Sequence, residues 1–338
     1  MLVSIITIYY NREENVIESI NSLLNQSYKN IEIIAIDDGS KDNTLKRLES
    51  IKDPRLKVFT QCNQGFVHSI KKAIDYCKGK VIAIHGSGDI SYKDRIKEQL
   101  NVLTANPTIG AVGCIVEKVN TINGVKSYYK PDINKGEKAT NQLLKSNIFT
   151  HGEVMFRKSV YQKAGGYREF FLFSQDYDLW MRMSLISNFS IVEKVLYKRY
   201  ILPNGVGSSI DKIIMQKFFG EFARQCIQER IKNNVDFLDK HGIHASFYMK
   251  KNKRLALELW QLSLTAFFNK NLEKSLEVNS LSLNQQRLIR NTLFHFFYML
   301  LKKEKRLEKL ARKIIKNVRK RNNLYLKVRS MWKKISTR

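Results

Sequence analysis

The sequence predicts an α/β domain on a largely parallel sheet covered on both faces, followed by an all-helical C-terminal region. Three observations carry this. Short β-branched apolar runs alternate with stretches of helical apolar spacing over the first two hundred residues, acidic or glycine-rich turns follow those runs, and beyond about residue 211 helical spacing continues with few glycines and no proline.

Taken in order, Val3 to Ile8 reads as a strand, Asn15 to Leu24 as a helix, and Ile31 to Ile36 as a second strand ending in Asp-Asp-Gly-Ser. The alternation continues with a helix at 42–50, a strand at 56–60, a helix at 65–77, a strand at 80–85, a helix at 92–104 and a strand at 110–117. A hairpin-like or loop stretch reaches Lys135. Ile148 to Phe156 then reads as a strand, Gly165-Gly166-Tyr167 as a turn, Gln175 to Ile186 as a helix and Ile191 to Tyr200 as a strand, before Pro203-Asn204-Gly205 breaks the pattern. The expected division is a domain over 1–210 and a basic helical region over 211–338. Within the latter, Leu255 to Leu283 reads as two antiparallel helices joined near Asn269-Lys270-Asn271, similar to a single tetratricopeptide unit and most simply a helical hairpin.

With 43% hydrophobic and 11% aromatic residues the chain has ample material for a packed core. Cys62, Cys77, Cys114 and Cys226 show no C-x-x-C spacing, which argues against a disulfide framework or zinc site and for a reducing compartment. Met1 leads directly into the first strand, and the longest apolar run, Thr292 to Leu301, is about half of the ~20 residues a membrane span requires. A cytoplasmic protein is therefore expected. The net charge of +28 is uneven: residues 1–210 hold 29 Lys+Arg against 21 Asp+Glu, residues 211–338 hold 30 against 10, and 301–338 alone carry 16 basic residues opposed by Glu304 and Glu308.

In an open parallel sheet, ligands bind beyond the carboxyl ends of the strands. Those positions are Tyr9-Tyr10-Asn11, Asp37-Asp38-Gly39-Ser40 and His85-Gly86-Ser87-Gly88-Asp89. Carboxylates there suit a nucleotide diphosphate, since they accept hydrogen bonds from a base or ribose and hold a hard cation. Neither G-x-G-x-x-G after the first strand nor G-x-x-x-x-G-K-[ST] occurs, so dinucleotide and P-loop readings lack their motif.

Several spaced motifs, in order, resemble the family 2 glycosyltransferases. They are Val3-Ser4-Ile5-Ile6-Thr7 through Tyr10-Asn11-Arg12-Glu13, Ser22-Leu23-Leu24-Asn25-Gln26-Ser27, Ile36 through Thr44, Asn63-Gln64-Gly65, Lys78-Gly79-Lys80, Gly86-Ser87-Gly88-Asp89-Ile90, Phe156-Arg157, Gly165-Gly166-Tyr167-Arg168 and Ser174 through Arg182. The likeness covers roughly residues 1–205. It implies a GT-A fold, that is, a Rossmann-like mixed sheet flanked by helices as in nucleotide-diphospho-sugar transferases. It also implies an enzyme that moves a sugar, with inversion, from a nucleotide-sugar donor such as a UDP-sugar to a glycan or lipid-linked acceptor in surface polysaccharide synthesis.

The resemblance further implies individual roles. Ile8 and Tyr10 would line the base pocket and Asp38, with Asp37, would recognise the base; Gly88 would lie against the donor nucleotide. Asp89 would hold Mg²⁺ or Mn²⁺ on the diphosphate. Asp176 would be the general base, a single carboxylate sufficing because the leaving diphosphate needs no protonation. His151, Glu153 and Gln175 would lie on the acceptor side. The chain departs from the family pattern where Gly86 and Gly88 replace acidic residues of D-x-D, where Gln175 replaces the acid before the base, and where Ile201-Leu202-Pro203 lacks the histidine some members place on the metal.

Each motif also has a plainer reading. Asp37-Asp38-Gly39-Ser40 alone is equally a strand-ending turn, and Asp176 with Asp178 suits the first turn of any helix; the ordered match selects Asp176 and leaves Asp178 as a supporting residue. His241 and His244 read as a solvated helix end, and the C-terminal aromatics as core. Leu300 to Ile315 reads as an amphipathic basic helix suited to an anionic membrane surface, the plain alternative being a solvated face. Nucleic-acid binding is the rival suggested by net charge, and it lacks any recognition motif. A catalytically weak scaffold is the rival suggested by the glycines, and an oligomer is compatible with all of these.

Overall fold

The computed structural model describes residues 1–133, 138–202, 209–269 and 271–303. Contacts divide the chain into two compact units, Met1–Met249 and one beginning at Lys250. The first unit contains β1 (Val3–Tyr9), α1 (Val16–Leu24), β2 (Ile31–Asp37), α2 (Thr44–Ser50), β3 (Leu56–Thr60), α3 (Phe66–Tyr76), β4 (Val81–Gly86), β5 (Ile90–Ser91), α4 (Arg95–Ala105), β6 (Ile109–Asn120), β7 (Lys126–Tyr129), α5 (Ala139–Leu143), β8 (Met155–Arg157), α6 (Lys158–Lys163), α7 (Gln175–Ser184), β9 (Asn188–Ile201), α8 (Ile210–Asn233) and α9 (Phe237–His241).

The sheet runs β3-β2-β1-β4-β8-β6-β9-β5, with β7 added to β6. Its first four strands are parallel; β8 is antiparallel to both β4 and β6, β9 runs parallel to β6, β5 pairs antiparallel with β9, and β7 pairs antiparallel with β6. The sheet is therefore mixed and flanked by helices, as the GT-A expectation has it. Strand alternation separates two cores. Ile6, Ile8, Ile34 and Ile36 pack with Ile70, Ile74 and Trp180 on one face, whereas Ile5, Tyr9, Ile33 and Ala35 pack with Val16, Ile20, Leu23 and Leu100 on the other.

Two expectations change. The strand read over Ile148 to Phe156 is confined to β8, because His151 takes a φ of 79° and Glu153 accepts from the Thr150 amide at 2.8 Å, turning the buried segment before it. The first unit also runs beyond 210: Phe222, Ala223, Cys226 and Ile227 of α8 and Phe237 of α9 belong to the same core as Trp180.

The second unit contains α10 (Lys253–Phe268), α11 (Leu272–Gln285) and α12 (Ile289–Lys303). The helical hairpin expected over Leu255 to Leu283 is α10 with α11. Asn252 and Asn271 cap the two helices, and serines allow close approach: Ser275 donates to the Ser263 carbonyl at 2.8 Å and Ser282 to the Ala256 carbonyl at 2.6 Å. Phe294 of α12 meets Phe267 edge-on at 5.8 Å. No helix among the described residues is long and apolar enough to cross a membrane. Most of the basic tail, residues 304–338, lies outside the described residues.

Candidate active site

Register brings the sequence-selected turns to one rim. Tyr9 pairs with Asp37 and Ile8 with Gly86, so the segments after β1, β2 and β4 leave the sheet side by side. The first two segments are latched together. The Asn11 amide donates to Ser40 Oγ at 2.9 Å, the Lys41 amide to Asn11 Oδ1 at 2.8 Å and the Arg12 amide to Thr44 Oγ1 at 2.8 Å, while Glu13 Oε2 accepts from the backbone and side chain of Asn43. Asn11 holds a φ of 51°, which asparagine tolerates better than most residues. Of the two expected pocket residues, Ile8 belongs to the core and Tyr10 is exposed at the rim.

Asp37 and Asp38 are both buried but differently occupied. Asp38 Oδ1 accepts from Gln61 Nε2 at 2.9 Å and the Gln64 amide at 3.0 Å, and Oδ2 accepts from the Gly65 amide at 3.0 Å. Asp38 thus fixes the Asn63-Gln64-Gly65 turn that starts α3. Gly39 is needed here, since its φ is 74° and a β-carbon would come within 2.7 Å of the Asn63 nitrogen. Asp37 accepts through Oδ2 from the Ser40 amide at 3.2 Å and Thr60 Oγ1 at 3.3 Å, whereas its Oδ1 is buried without a partner. A buried unpaired carboxylate oxygen is costly and suits a ligand N–H.

The glycine turn after β4 is built on a buried polar network. His85 lies under it; its Nε2 is 3.0 Å from the Asp89 carbonyl, which can only accept, so the proton sits on Nε2 and Nδ1 accepts from Ser91 Oγ at 3.1 Å. Ser91 Oγ in turn accepts from the buried Arg95 guanidinium at 2.8 Å, which also donates to the carbonyls of Ile84 and Gly152. Burial, helped by the Arg95 charge, lowers the His85 imidazole to about 3. Arg95 stacks 4.7 Å from the ring centroid of Tyr197.

Asp89, the expected metal ligand, is turned toward β9. Its Oδ2 accepts from Tyr197 Oη at 2.8 Å and its Oδ1 from the Tyr200 amide at 3.1 Å, and burial raises its carboxyl to about 6. A β-carbon at Gly86 would run into Asp89 Oδ2, so glycine at 86 and this Asp89 position go together. Gly88 holds a φ of 90° against Asn15. Among the described residues no three His, Cys, Asp or Glu side chains form a group that could hold a metal ion. A divalent ion on a diphosphate draws on one or two outward carboxylates. With glycine at 86 and 88 and both Asp89 oxygens committed to β9, the residues present do not fit one.

Across the site, Ser174 in a left-handed conformation starts α7, and the next two residues are the half-buried Gln175 and Asp176. Asp176 Oδ2 accepts from Asn147 Nδ2 at 3.0 Å, which leaves Oδ1 without a hydrogen bond among the described residues. Asp178 is saturated: Arg168 grips it through Nε at 3.1 Å and through Nη2, and Arg182 donates to Oδ2 from Nε at 3.1 Å and Nη2 at 2.7 Å. His151 Nε2 lies 2.7 Å from Tyr167 Oη, and its ring meets Phe66 and Trp180. Burial lowers the His151 imidazole, opposed by the Asp176 charge and reinforced by Arg199. Glu153 is fully buried, accepts from the Thr150 amide and hydroxyl, and has its carboxyl raised by burial. It therefore supports the turn rather than facing outward.

The sequence reading missed Asn147, Tyr197 and Arg199, and it named Tyr167 only within the Gly165-Gly166-Tyr167-Arg168 motif, without a role. Tyr197 carried a weak signal, as an aromatic on an expected strand; Arg199 looks like an ordinary solvated charge. Arg199 feels both Asp89 and His151, and His151 feels Asp176, so these groups share one electrostatic neighbourhood.

Residues 4–165 match the profile of glycosyl transferase family 2. An uncharacterized glycosyltransferase of Haemophilus influenzae is 29% identical over 286 residues, spanning 78% of this chain and 86% of that protein. Escherichia coli chondroitin synthase is 26% identical over 219 residues, spanning 64% of this chain and only 31% of the synthase. Among solved structures, S. aureus TarS 1-349 in complex with UDP-GlcNAc has a TM-score of 0.57 at 14% identity, covering 90% of this chain and 92% of that one. Mannosyltransferase PcManGT from Pyrobaculum calidifontis in complex with GDP-Man and Mn²⁺ has a TM-score of 0.52 at 16% identity, covering 92% and 83%. The mixed sheet, the rim of strand-end carboxylates and the match over residues 4–165 agree: the chain is a transferase enzyme with a GT-A fold, similar over that stretch to glycosyl transferase family 2.

Proposed function

We propose that the chain is an inverting glycosyltransferase that moves a sugar from a nucleotide diphosphate, a UDP-sugar first among candidates, to a hydroxyl of a glycan or lipid-linked acceptor. The observation that carries this is Asp176. It stands at the head of α7 with one oxygen held by Asn147 and the other without a hydrogen bond among the described residues, beside the aromatic wall of His151, Tyr167 and Trp180. The acceptor hydroxyl gives its proton to Asp176 as its oxygen attacks the anomeric carbon; the bond from that carbon to the diphosphate breaks on the opposite face, and its electron pair leaves with the nucleoside diphosphate. A single displacement inverts the anomer. His151 and Gln175 border the acceptor.

On the donor side, Asp38 sets the Gln64-Gly65 turn and Asp37 offers its free oxygen to a base N–H, with Tyr10 at the pocket rim and the Gly86-Gly88 backbone close to the ribose and diphosphate. The UDP-GlcNAc and GDP-Man complexes of the structural neighbours support a nucleotide-sugar donor, and the chondroitin synthase relative supports a glycan product. The basic tail, together with exposed Ile289, Leu293, Phe296 and Met299 on α12, supports work at an anionic membrane surface on its cytoplasmic side. A panel of UDP- and GDP-sugars tests the donor reading: one nucleotide class raises the unfolding temperature, and it is overturned if none does. Sedimentation with anionic but not neutral vesicles tests the membrane reading.

A further inference from the structure

Departure of a nucleoside diphosphate needs positive charge at the phosphates, and the glycine turn after β4 is poorly built to hold that charge as a divalent ion. The neighbouring strands carry it as side chains. In the parallel pair β6–β9, Lys118 lies directly opposite Arg199, and Glu117 directly opposite Lys198. On the Glu117 face the charges are complementary, with Glu117 also bound to Lys126 at 3.1 Å and to Tyr92. On the Lys118 face two cations confront each other, an arrangement that destabilises a sheet with nothing between them.

That face adjoins the glycine turn after β4. Arg199 follows Tyr197 by two residues, so the side chains share a side of the strand, and Tyr197 Oη is bonded to Asp89 Oδ2 and to the Gly86 amide at 2.8 Å. Arg199 is exposed and has no hydrogen bond or ion pair among the described residues. The half-buried Lys118 has its ammonium 4.3 Å from the centroid of the Tyr129 ring, and burial lowers that ammonium, reinforced by the Arg199 charge and opposed by Glu153. The geometry points to Lys118 and Arg199 as the diphosphate site of this enzyme, doing with two side-chain cations what a bound divalent ion does elsewhere, so that donor binding and transfer proceed without added metal. As the bond to the anomeric carbon breaks, the departing phosphate oxygen takes the electron pair and the guanidinium and ammonium neutralise it. The inference rests on the nucleotide-sugar reading above.

The test is calorimetry on the full chain with UDP, uridine, GDP and guanosine, each in EDTA and in Mn²⁺. One diphosphate is expected to bind in EDTA at least about tenfold more tightly than its nucleoside. Arg199→Ala and Lys118→Ala are each expected to remove most of that gain while leaving nucleoside binding unchanged, with Arg199→Lys keeping part of it. Relief of the like-charge contact keeps the ligand-free unfolding temperature of Arg199→Ala at or above that of the parent, which separates lost binding from lost folding. A diphosphate gain seen only with Mn²⁺, or one indifferent to both substitutions, overturns the inference and leaves the glycosyltransferase reading intact. Failure of every nucleoside and diphosphate to bind in either condition overturns both.

Discussion

The donor rim and the head of α7 each present two carboxylates close in sequence, Asp37 with Asp38 and Asp176 with Asp178, and in both places the pair divides in the same way. One member is saturated by its surroundings: Asp38 by Gln61, Gln64 and Gly65, Asp178 by Arg168 and Arg182. The other keeps an oxygen unspent, Asp37 Oδ1 in the donor pair and Asp176 Oδ1 in the acceptor pair. The difference lies in what saturates the holder. At the rim it is neutral amides that shape a loop, whereas in α7 it is two guanidinium groups, one of which, Arg168, also reaches Asp236 ahead of α9 at 2.7 Å. The acceptor pair is therefore tied to the stability of the whole first unit, and the donor pair to one turn.

Substitutions sharpen this comparison. The largest effect belongs to Asp176→Asn, which is expected to lower transfer by about a hundredfold to ten-thousandfold while donor binding and the unfolding temperature stay near those of the parent. Asp178→Ala is expected to do the reverse. It leaves Arg168 and Arg182 without their shared carboxylate and costs about 3–5 kcal/mol in denaturant unfolding. At the rim, Asp38→Ala costs about 1–3 kcal/mol by freeing buried donors, whereas Asp37→Asn weakens nucleoside binding about tenfold and barely moves stability. If both members of either pair behave alike, the division into holder and working group fails.

A smaller effect concerns pH. Because His85 is held neutral, falling from the ordinary 6.5 to about 3, its contribution to stability is present above pH 6.5 and is lost as pH drops from there toward 3. Over that window the unfolding free energy of the parent declines by up to ~1.4 kcal/mol per pH unit from this group. His85→Asn is expected to flatten that part of the profile, and a parent and variant with parallel profiles would remove His85 from the account.

The sequence shows the strand ends clearly, since β-branched runs followed by Asp-Asp-Gly-Ser or Gly-Ser-Gly-Asp mark where a parallel sheet opens to ligand. It does not show which aspartate of each pair is free, because the deciding partners sit elsewhere: Gln61 is 23 residues from Asp38 and Arg168 is 10 from Asp178. The same distance problem hides the limit of the first unit. Phe222 and Phe237 read as generic helical core, and only the packing of Phe222 on Phe170 and Phe171, with Phe237 stacked on Phe222 in turn, assigns them to the catalytic fold. His151 defeats the strand reading of its segment because its positive φ turns the chain within Thr150-His151-Gly152-Glu153, a polar break that the reading bridged between flanking apolar residues. Arg199 escapes notice because a charged residue near a strand end is ordinary until its neighbour across the sheet proves to be Lys118.

The measurement that bears most directly on the whole account is the anomeric configuration of the first product, read by proton NMR before mutarotation or through the glycosidic coupling in the isolated glycan. The proposed single base at Asp176, with no second carboxylate placed beside it as a nucleophile among the described residues, predicts that an α-linked nucleotide sugar yields a β-linked product. A product that keeps the donor's configuration would contradict the account, since retention requires a group these residues are not arranged to supply.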